Sequence, residues 1–187
     1  MVAILDVESY KPREGTWASV AVVIRKCNGD LQVLVGRRRN RSNDPWAGDA
    51  SFPGGHYKEE DGDLLRTAIR ETMEETGIDL SGARIIKVLD IHHPKNVPEI
   101  NVVPIIFMID GCDVNPTKDG GEFDELRWIT LSELPKYEAV TAVKGRERKA
   151  IIYDGIVIWG MTRRILCKVY EEFSLGGESS ELNEMNK

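Results

Sequence analysis

The order of apolar and polar residues predicts that strands and helices alternate along this chain. TWASVAVVIRK and LQVLVGRR are rich in β-branched residues, and the Asn28-Gly29 pair between them is typical of a hairpin turn. ARIIKVLDI, NVVPIIFMID and LRWITL predict further strands, and the apolar stripe of TRRILCKVYEEF predicts a closing helix. This interleaving favours one α/β domain over residues 1–175, with helices on both sides of a mixed sheet. The polar tail at 176–187 is expected to be disordered.

Another helix is predicted over Asp63–Thr76. Leu65, Ile69 and Met73 recur there every four residues, which is the spacing of one helix face. Gly77 follows as a natural helix stop. The pattern therefore predicts an amphipathic helix whose apolar face contains these three side chains.

Composition and charge narrow the class of protein. A chain of 187 residues suits a single domain, and a net charge of -6 argues against a broad, sequence-independent contact with nucleic acid. No apolar run approaches the roughly 20 residues that span a bilayer, so we expect no membrane contact. Cys27, Cys112 and Cys167 are odd in number and far apart. We therefore expect no disulfide framework and a protein of the reducing cytoplasm.

The helix predicted before Gly77 also carries three glutamates on one side. Glu74 and Glu75 follow Glu71 by three and four residues, which are positions that share a helix face. Like charges at this spacing repel one another, and a divalent cation such as Mg²⁺ would relieve the repulsion. Gly54, just before the helix, would let a backbone carbonyl approach the same ion. A plain solvent-facing acidic surface is the alternative.

The segment GGHYKEEDGDLLRTAIRETMEETGI resembles the Nudix box, whose pattern is G-x5-E-x7-R-E-U-x-E-E-x-G-U with U apolar. Gly55 matches the first glycine, Arg70-Glu71 the R-E pair and Glu74-Glu75 the E-E pair. Gly77 and Ile78 match the last two positions. On these residues the chain resembles the Nudix hydrolase family.

The match departs from the pattern at its first acid. Between Gly55 and Arg70 lie 14 residues (56 to 69), where the pattern has 13. Asp61 takes the place of the first glutamate when counted forward from Gly55, whereas counting back from Arg70 reaches Gly62, which lies between Asp61 and Asp63. Thr72 stands where an apolar residue is usual. The sequence leaves the choice between the two aspartates open.

The resemblance implies a Nudix fold, which is an α/β/α sandwich around a mixed sheet. It also implies hydrolysis of a diphosphate linked to another moiety, with Mg²⁺ or Mn²⁺ as cofactor. In the family, the residues matching Glu71 and Glu75 are metal ligands, assisted by the one matching Glu74. The residue matching Arg70 holds the glutamates in position, and the carbonyl matching Gly54 often adds a ligand.

Two residues are candidates for the group that takes the proton from the attacking water. Glu75 is one, although metal coordination would occupy it. Glu122, in the loop DGGEFDE, is the other, because several branches of the family supply such a glutamate from a late loop. A solvent-facing loop glutamate is the alternative for Glu122.

Two stretches indicate a substrate class. GDASFPGG and IWGMTRRIL resemble segments of the coenzyme A pyrophosphatase branch of the family. A further motif of that branch matches poorly, because Asn40 stands where serine or alanine is usual and Asp44 stands at its second arginine. Coenzyme A or acyl-coenzyme A is therefore the first expectation. ADP-ribose, a dinucleotide, a nucleoside triphosphate, and a non-catalytic nucleotide sensor are the alternatives.

Basic and aromatic residues near the box are candidates for substrate binding. Arg37, Arg39 and Arg41 belong to a basic cluster in an otherwise acidic protein, and a guanidinium can bind phosphate through two parallel hydrogen bonds. Alternate arginines of a strand face opposite ways, so only some of them can reach one site. An edge-strand role in solubility is the alternative. Trp46 could stack on an adenine. The expected partner is a small nucleotide-diphosphate substrate, and a homodimer is left open.

Overall fold

A computed structural model describes residues 12–118 and 120–175 of the chain. The predicted tail at 176–187 and the start of the predicted domain lie outside the described residues, so both boundaries remain predictions. Neither helix within the described ranges combines the length and the apolar character that crossing a bilayer requires.

The described part of the chain forms two β-sheets and two α-helices. The main sheet comprises β1 Thr16–Cys27, β2 Asp30–Arg38, β3 Ala50–Ser51, β4 Gly54–His56, β5 Arg84–Val88, β6 Ile100–Asp110 and β7 Phe123–Thr130. The small sheet comprises β8 Glu138–Val143, β9 Arg146–Tyr153 and β10 Ile156–Ile158, and the helices are α1 Leu64–Thr76 and α2 Gly160–Leu175. The main sheet is mixed, because β6 runs parallel to β1 while the other pairs are antiparallel.

Helices cover both faces of the main sheet. Leu64 and Ala68 of α1 share a core with Leu34 of β2. Ile165 of α2 shares a second core with Val35, the next residue of the same strand. Since neighbouring strand residues point to opposite faces, the two cores lie on opposite sides of the sheet. The predicted α/β class and its sandwich architecture are confirmed.

The strands β1 and β2 separate midway along their length. Near the hairpin they pair with each other, Ile24–Cys27 against Asp30–Val33. Further along β1, Ala18–Val20 pair instead with Gly54–His56 of β4. The buried Phe52-Pro53 segment crosses the gap between β3 and β4. The double glycine is thereby brought into the gap, where it faces α1.

The buried side of α1 is offset by one residue from the predicted apolar face. Leu64, Ala68 and Thr72 are buried, whereas Met73 is 52% exposed. Thr72 tolerates burial because its hydroxyl donates to the Ala68 carbonyl at 2.7 Å. Leu65 and Ile69 pack against the same core while partly exposed, so the predicted apolar face is wrong at Met73 and off-centre elsewhere.

The small antiparallel sheet is an element that the sequence analysis missed. Its hairpins turn at Lys144-Gly145 and Asp154-Gly155, all with positive φ. Asp-Gly between apolar residues is a recognised hairpin signal and would have predicted the second turn. The sheet contributes Ile151, Ile156 and Ile158 to the core beneath α2.

The expectation about cysteines is wrong. Cys27, at the end of β1, forms a disulfide with Cys112, which follows β6, and Cys167 is free. The parallel pairing of β1 with β6 brings the two residues together across a sequence separation of 85. The disulfide removes the argument for a reducing compartment, and the cytoplasmic location remains a prediction.

Candidate active site

Glu75 lies on the buried side of α1 and is 8% exposed. Its Oε2 accepts a hydrogen bond from the Gly54 amide at 2.9 Å. Burial raises the pKa of Glu75 to about 8, and the negative charges of Glu71 and Glu122 act in the same direction. The Gly54 hydrogen bond and the charge of Arg38 oppose that shift. Three carboxylates therefore lie within electrostatic reach of one another.

The double glycine allows this close packing. A Cβ atom at Gly55 would lie 2.6 to 2.8 Å from the carboxylate of Glu71. A Cβ atom at Gly54 would lie 2.3 Å from the carbonyl oxygen of Ser19. Any side chain at either position would displace β4 or the glutamate. The Gly54 amide is the group that contacts Glu75, and a ligand role for the Gly54 carbonyl remains a prediction.

Arg70 joins the box glutamates to an aspartate outside the helix. Its Nε and Nη2 donate to the two carboxylate oxygens of Asp61 at 2.6 and 2.9 Å. Its Nη1 donates to Glu71 at 2.5 Å and to Glu74 at 3.2 Å. The expected pairing of Arg70 with the glutamates is thus present. The second carboxylate partner, Asp61, was one of two that the sequence left open.

Asp61 and Asp63 have different roles in the structure. The side chain of Asp61 is 5% exposed, and the Arg70 guanidinium lowers its pKa to about 2. Asp63 instead caps α1 by accepting from the Arg66 amide at 2.8 Å. A 3-10 turn over Glu59–Asp61 accommodates the extra residue of the box. Asp61, which is reached by counting forward from Gly55, is therefore the aspartate that pairs with Arg70.

Glu74 lies at the solvent edge of the cluster. Its side chain is 55% exposed, and it forms an ion pair with Arg70. Glu74 is therefore much more accessible to water than Glu71, whose side chain is 15% exposed. Catalytic and metal-binding roles for Glu74 remain predictions.

Glu122 lies just before β7 and forms ion pairs with two arginines, Arg38 and Arg41. Arg38 Nη2 lies 2.5 Å from its Oε1, and Arg41 Nη1 lies 2.9 Å from its Oε2. Arg38 also forms an ion pair with Asp44 at 2.7 Å. Sequence analysis proposed Glu122 and Arg41 but selected neither Arg38 nor Asp44.

The alternation of β2 explains why Arg38 rather than Arg37 reaches the acidic cluster. Leu34 faces α1 and Val35 faces α2, so Arg38 is on the α1 side and Arg37 on the other. Arg37 pairs there with Asp124 at 2.9 Å and with Glu125 at 3.1 Å. The alternation could have been read from the sequence.

The other two candidates for substrate binding lie at the surface near this arginine segment. Arg39 is exposed, and its backbone amide donates to the Glu122 carbonyl at 2.8 Å. Trp46 is half-buried against a small cluster that contains Ala18 and Val102, and its indole donates to Asn96. Contacts of these residues with a substrate remain predictions.

The donor set fits a divalent cation. Glu71, Glu75 and Glu122 are negative groups close together, and hard carboxylate oxygens are the ligands that Mg²⁺ and Mn²⁺ prefer. Among the described residues, no group of three or more His, Cys, Asp or Glu side chains is already arranged to hold a metal ion. Arg70 and the Gly54 amide each occupy one oxygen of Glu71 and of Glu75, which leaves the other oxygen of each carboxylate as the candidate ligand.

The fold and site define a class of α/β protein in which a glycine-flanked helix presents paired glutamates beneath a split sheet. The chain belongs to the Nudix family, since the NUDIX domain model matches residues 16–150. The predicted family is confirmed.

Named relatives are 27% to 30% identical to this chain over the aligned region. Nudix hydrolase 15, mitochondrial, of Arabidopsis thaliana is 27% identical over 87% of this chain and 59% of its own length. Mitochondrial coenzyme A diphosphatase NUDT8 of Homo sapiens is 30% identical over 63% of this chain and 50% of its own length. The chain thus spans only half to three-fifths of these relatives.

Solved structures show the same fold at low sequence identity. The NUDIX domain of Shewanella oneidensis NrtR, complexed with ADP ribose, has a TM-score of 0.57 at 16% identity, covering 91% of this chain and 95% of that chain. A Caenorhabditis elegans Ap4A hydrolase binary complex has a TM-score of 0.51 at 23% identity, covering 65% and 84%.

Proposed function

We propose that this chain hydrolyses the diphosphate bond of a nucleoside-diphosphate-linked compound, with coenzyme A or acyl-coenzyme A as the first candidate. Cleavage of coenzyme A would give 3′,5′-ADP and a phosphopantetheine. The observation that carries the proposal is the buried Glu75 carboxylate, which lies close to Glu71 and against the double glycine. Such a concentration of negative charge suits a divalent cation and, through the cation, a diphosphate.

The residues of the box have two roles: some would bind the metal ion, and others hold those ligands in position. Glu71 and Glu75 would bind Mg²⁺ or Mn²⁺, with Glu74 and the Gly54 carbonyl as further candidates. A bound cation would neutralise phosphate oxygens and lower the pKa of a water molecule bound to it. Arg70 fixes the position of Glu71 through its own attachment to the buried Asp61.

Glu122 is our first candidate for the general base. A base must lie within reach of the attacking water, and Glu122 is held by Arg38 close enough for its charge to act on Glu75. Glu75 is the second candidate. Its raised pKa shows that its ionised form is costly without a compensating cation, which suits a metal ligand better than a free base.

Coenzyme A stands first because of two segments that resemble the coenzyme A pyrophosphatase branch, and because the human relative is named a coenzyme A diphosphatase. The two segments are in contact: the Trp159 indole donates to Asp49 at 3.1 Å, and the Thr162 hydroxyl donates to the Ala50 carbonyl at 2.8 Å. Asp44, at the branch's second arginine, neutralises Arg38 instead of adding a positive charge. ADP-ribose, dinucleotides and nucleoside triphosphates are therefore kept as alternatives.

A substrate panel tests the proposal directly. The protein would be incubated with coenzyme A, ADP-ribose, NADH, diadenosine polyphosphates or nucleoside triphosphates, in Mg²⁺, Mn²⁺ or EDTA, and the products separated by chromatography. We expect turnover only with a divalent cation. Glu71→Gln and Glu75→Gln should each lower kcat on the order of 100-fold or more. Glu147→Gln, on the exposed side of β9, serves as control. Wild-type turnover by both box variants would show that the site is placed wrongly.

A non-catalytic nucleotide sensor is the alternative from another class. Retention of Glu71, Glu74 and Glu75 favours catalysis, because a sensor needs no general base or water-activating ion. Calorimetric titration with the same compounds separates the two. Tight binding without turnover under either cation would favour the sensor.

A further inference from the structure

Arg38 is held between two carboxylates at the end of β2. Its Nε and Nη2 donate to Oδ2 of Asp44 at 3.0 and 2.7 Å, while Nη2 also lies 2.5 Å from Oε1 of Glu122. All three side chains are between 13% and 19% exposed, so water screens these ion pairs less than pairs at the open surface. Asp44 also accepts from the Trp46 amide at 2.9 Å, which fixes the far end of the chain of contacts.

The backbone around Glu122 is fixed independently of its side chain. The Glu122 carbonyl accepts from the Arg39 amide at 2.8 Å. On the other side, Gly120 lies so close to α1 that a Cβ atom there would be 2.1 Å from the Glu74 carbonyl. The loop is thus pressed between β2 and α1. The Glu122 side chain is free to rotate only about its own bonds.

Of the two arginines that bind Glu122, Arg38 is the less exposed, at 19% against 51% for Arg41, so water screens its attraction less. The charges of Glu122 and Glu71 both raise the pKa of Glu75, whereas the charge of Arg38 lowers it. Glu122 therefore lies between like charges on α1 and two compensating charges, Arg38 at the end of β2 and the more exposed Arg41. Because Asp44 fixes the orientation of the Arg38 guanidinium, the attraction of Arg38 for Glu122 draws that carboxylate toward one fixed position.

We propose that Arg38 is a positioning residue that holds the Glu122 carboxylate at the acidic cluster, with Asp44 fixing the orientation of Arg38. This role rests on the proposed hydrolase function, in which Glu122 acts on the attacking water. Arg38 acts through Glu122 and makes no contact with the substrate. An arginine that binds a substrate phosphate would instead act independently of Glu122.

A double-mutant cycle on kcat distinguishes these roles. If Arg38 acts through Glu122, Arg38→Gln and Glu122→Gln should each lower kcat on the order of 100-fold, and the double variant should stay within about threefold of Glu122→Gln alone. KM should change by less than about threefold in all of them, since the substrate loses no contact. Arg127→Gln is the control, because that side chain also forms ion pairs, with Glu125 and Asp154, outside the segments on which the substrate assignment rests.

The outcomes separate the inference from the function on which it rests. No turnover by the wild-type protein on any substrate would overturn the proposed function, and the role of Arg38 with it. Turnover with multiplying losses, or a raised KM for Arg38→Gln, would overturn the role of Arg38 alone. So would full activity of Glu122→Gln. If thermal melting shows that Arg38→Gln does not fold, Asp44→Asn takes its place, and the same non-additivity with Glu122→Gln is expected.

Discussion

The two halves of the candidate site are assembled in different ways. In the box half, charged groups meet over short stretches of chain: Arg70 and Asp61 are 9 residues apart, and Gly54 and Glu75 are 21 apart. In the arginine half, Arg41 and Glu122 are 81 residues apart. The first half is built by one turn and one helix. The second exists only because β7 pairs with β2.

This difference separates two sources of site geometry. Helix spacing and a glycine pair fix the box glutamates before the rest of the protein is considered. The position of Glu122 depends on strand register, a packed loop and an ion pair to a distant segment. We therefore expect changes in the box half to act strongly and locally. Changes in the arginine half should act through the structure that connects it to the sheet.

The largest expected effect is that of Arg70→Ala. The change leaves the Asp61 carboxylate buried without its cation, which costs on the order of 3 to 5 kcal/mol of the free energy of unfolding. Hydrolysis should fall on the order of 100-fold or more, because Glu71 loses its fixed position. Urea denaturation and steady-state kinetics measure the two effects.

Arg66→Ala, one helical turn earlier, is the control for Arg70→Ala. Arg66 is 73% exposed and lies 3.8 Å from Asp63, so its loss should cost less than about 0.5 kcal/mol. Equal losses of stability and activity in the two variants would contradict the prediction that the buried Arg70 network matters more than the exposed Arg66 pair.

Reduction of the disulfide should have the next largest effect. The Cys27–Cys112 bond closes a long segment of chain, and such bonds typically stabilise by about 2 to 4 kcal/mol. It also fixes the start of the loop that leads to Glu122, so it bears on the arginine half. Urea denaturation of the wild-type protein with and without dithiothreitol measures the loss. Cys167→Ser should respond to reduction in the same way as the wild type, and unchanged stability on reduction would contradict the prediction.

The pH dependence of the metal-free protein should reveal Glu75. Its folded pKa of about 8 exceeds the ordinary value of 4.5, so between these values the folded state keeps a proton that the unfolded chain has lost. The free energy of unfolding should therefore fall as pH rises from 5 to 8, on the order of 2 kcal/mol. Denaturation in EDTA measures this fall. The Glu75→Gln protein should show a flatter curve and be the more stable of the two at pH 8.

Addition of a cation should reverse that order. Mg²⁺ or Mn²⁺ stabilises a folded state that binds it and should raise the melting temperature of the wild type at pH 8. Glu75→Gln should gain much less. If the free energy of unfolding of the wild type in EDTA instead rose between pH 5 and 8, the raised pKa of Glu75 would be contradicted.

The elements that sequence reasoning predicted are those whose information is local. Both helices, the first hairpin and the five longer strands of the main sheet follow from periodicity and turn residues, whereas the short strands β3 and β4 were not predicted. The spacing of Leu65, Ile69 and Met73 located α1 but missed the centre of its buried face, which Leu64, Ala68 and Thr72 form. The disulfide could not be predicted, because Cys27 and Cys112 meet only through the parallel pairing of β1 with β6.

The site divides along the same line. The box pattern identified Glu71, Glu75 and Arg70, and the structure shows their contacts with one another or with the double glycine. Arg38 and Asp44 were not selected, although the alternation of β2 points Arg38 toward α1. Both residues matter because of Glu122, which Arg38 contacts. Glu122 reaches β2 only through the pairing of β2 with β7, and no local spacing in the sequence encodes that pairing.

The smallest expected effect distinguishes the two aspartates of the box. Asp63→Ala removes one helix cap and should cost about 1 kcal/mol, with hydrolysis almost unchanged. Asp61→Asn should cost more, because Arg70 loses a carboxylate whose pKa is lowered to about 2 and Glu71 loses an anchored partner. The two variants therefore test which aspartate takes the role of the first acid of the box. Urea denaturation and kcat of both proteins provide the comparison. A greater loss of activity in Asp63→Ala would mean that Asp63 takes the role of the first acid of the box, and that the buried pairing of Asp61 with Arg70 only stabilises the turn.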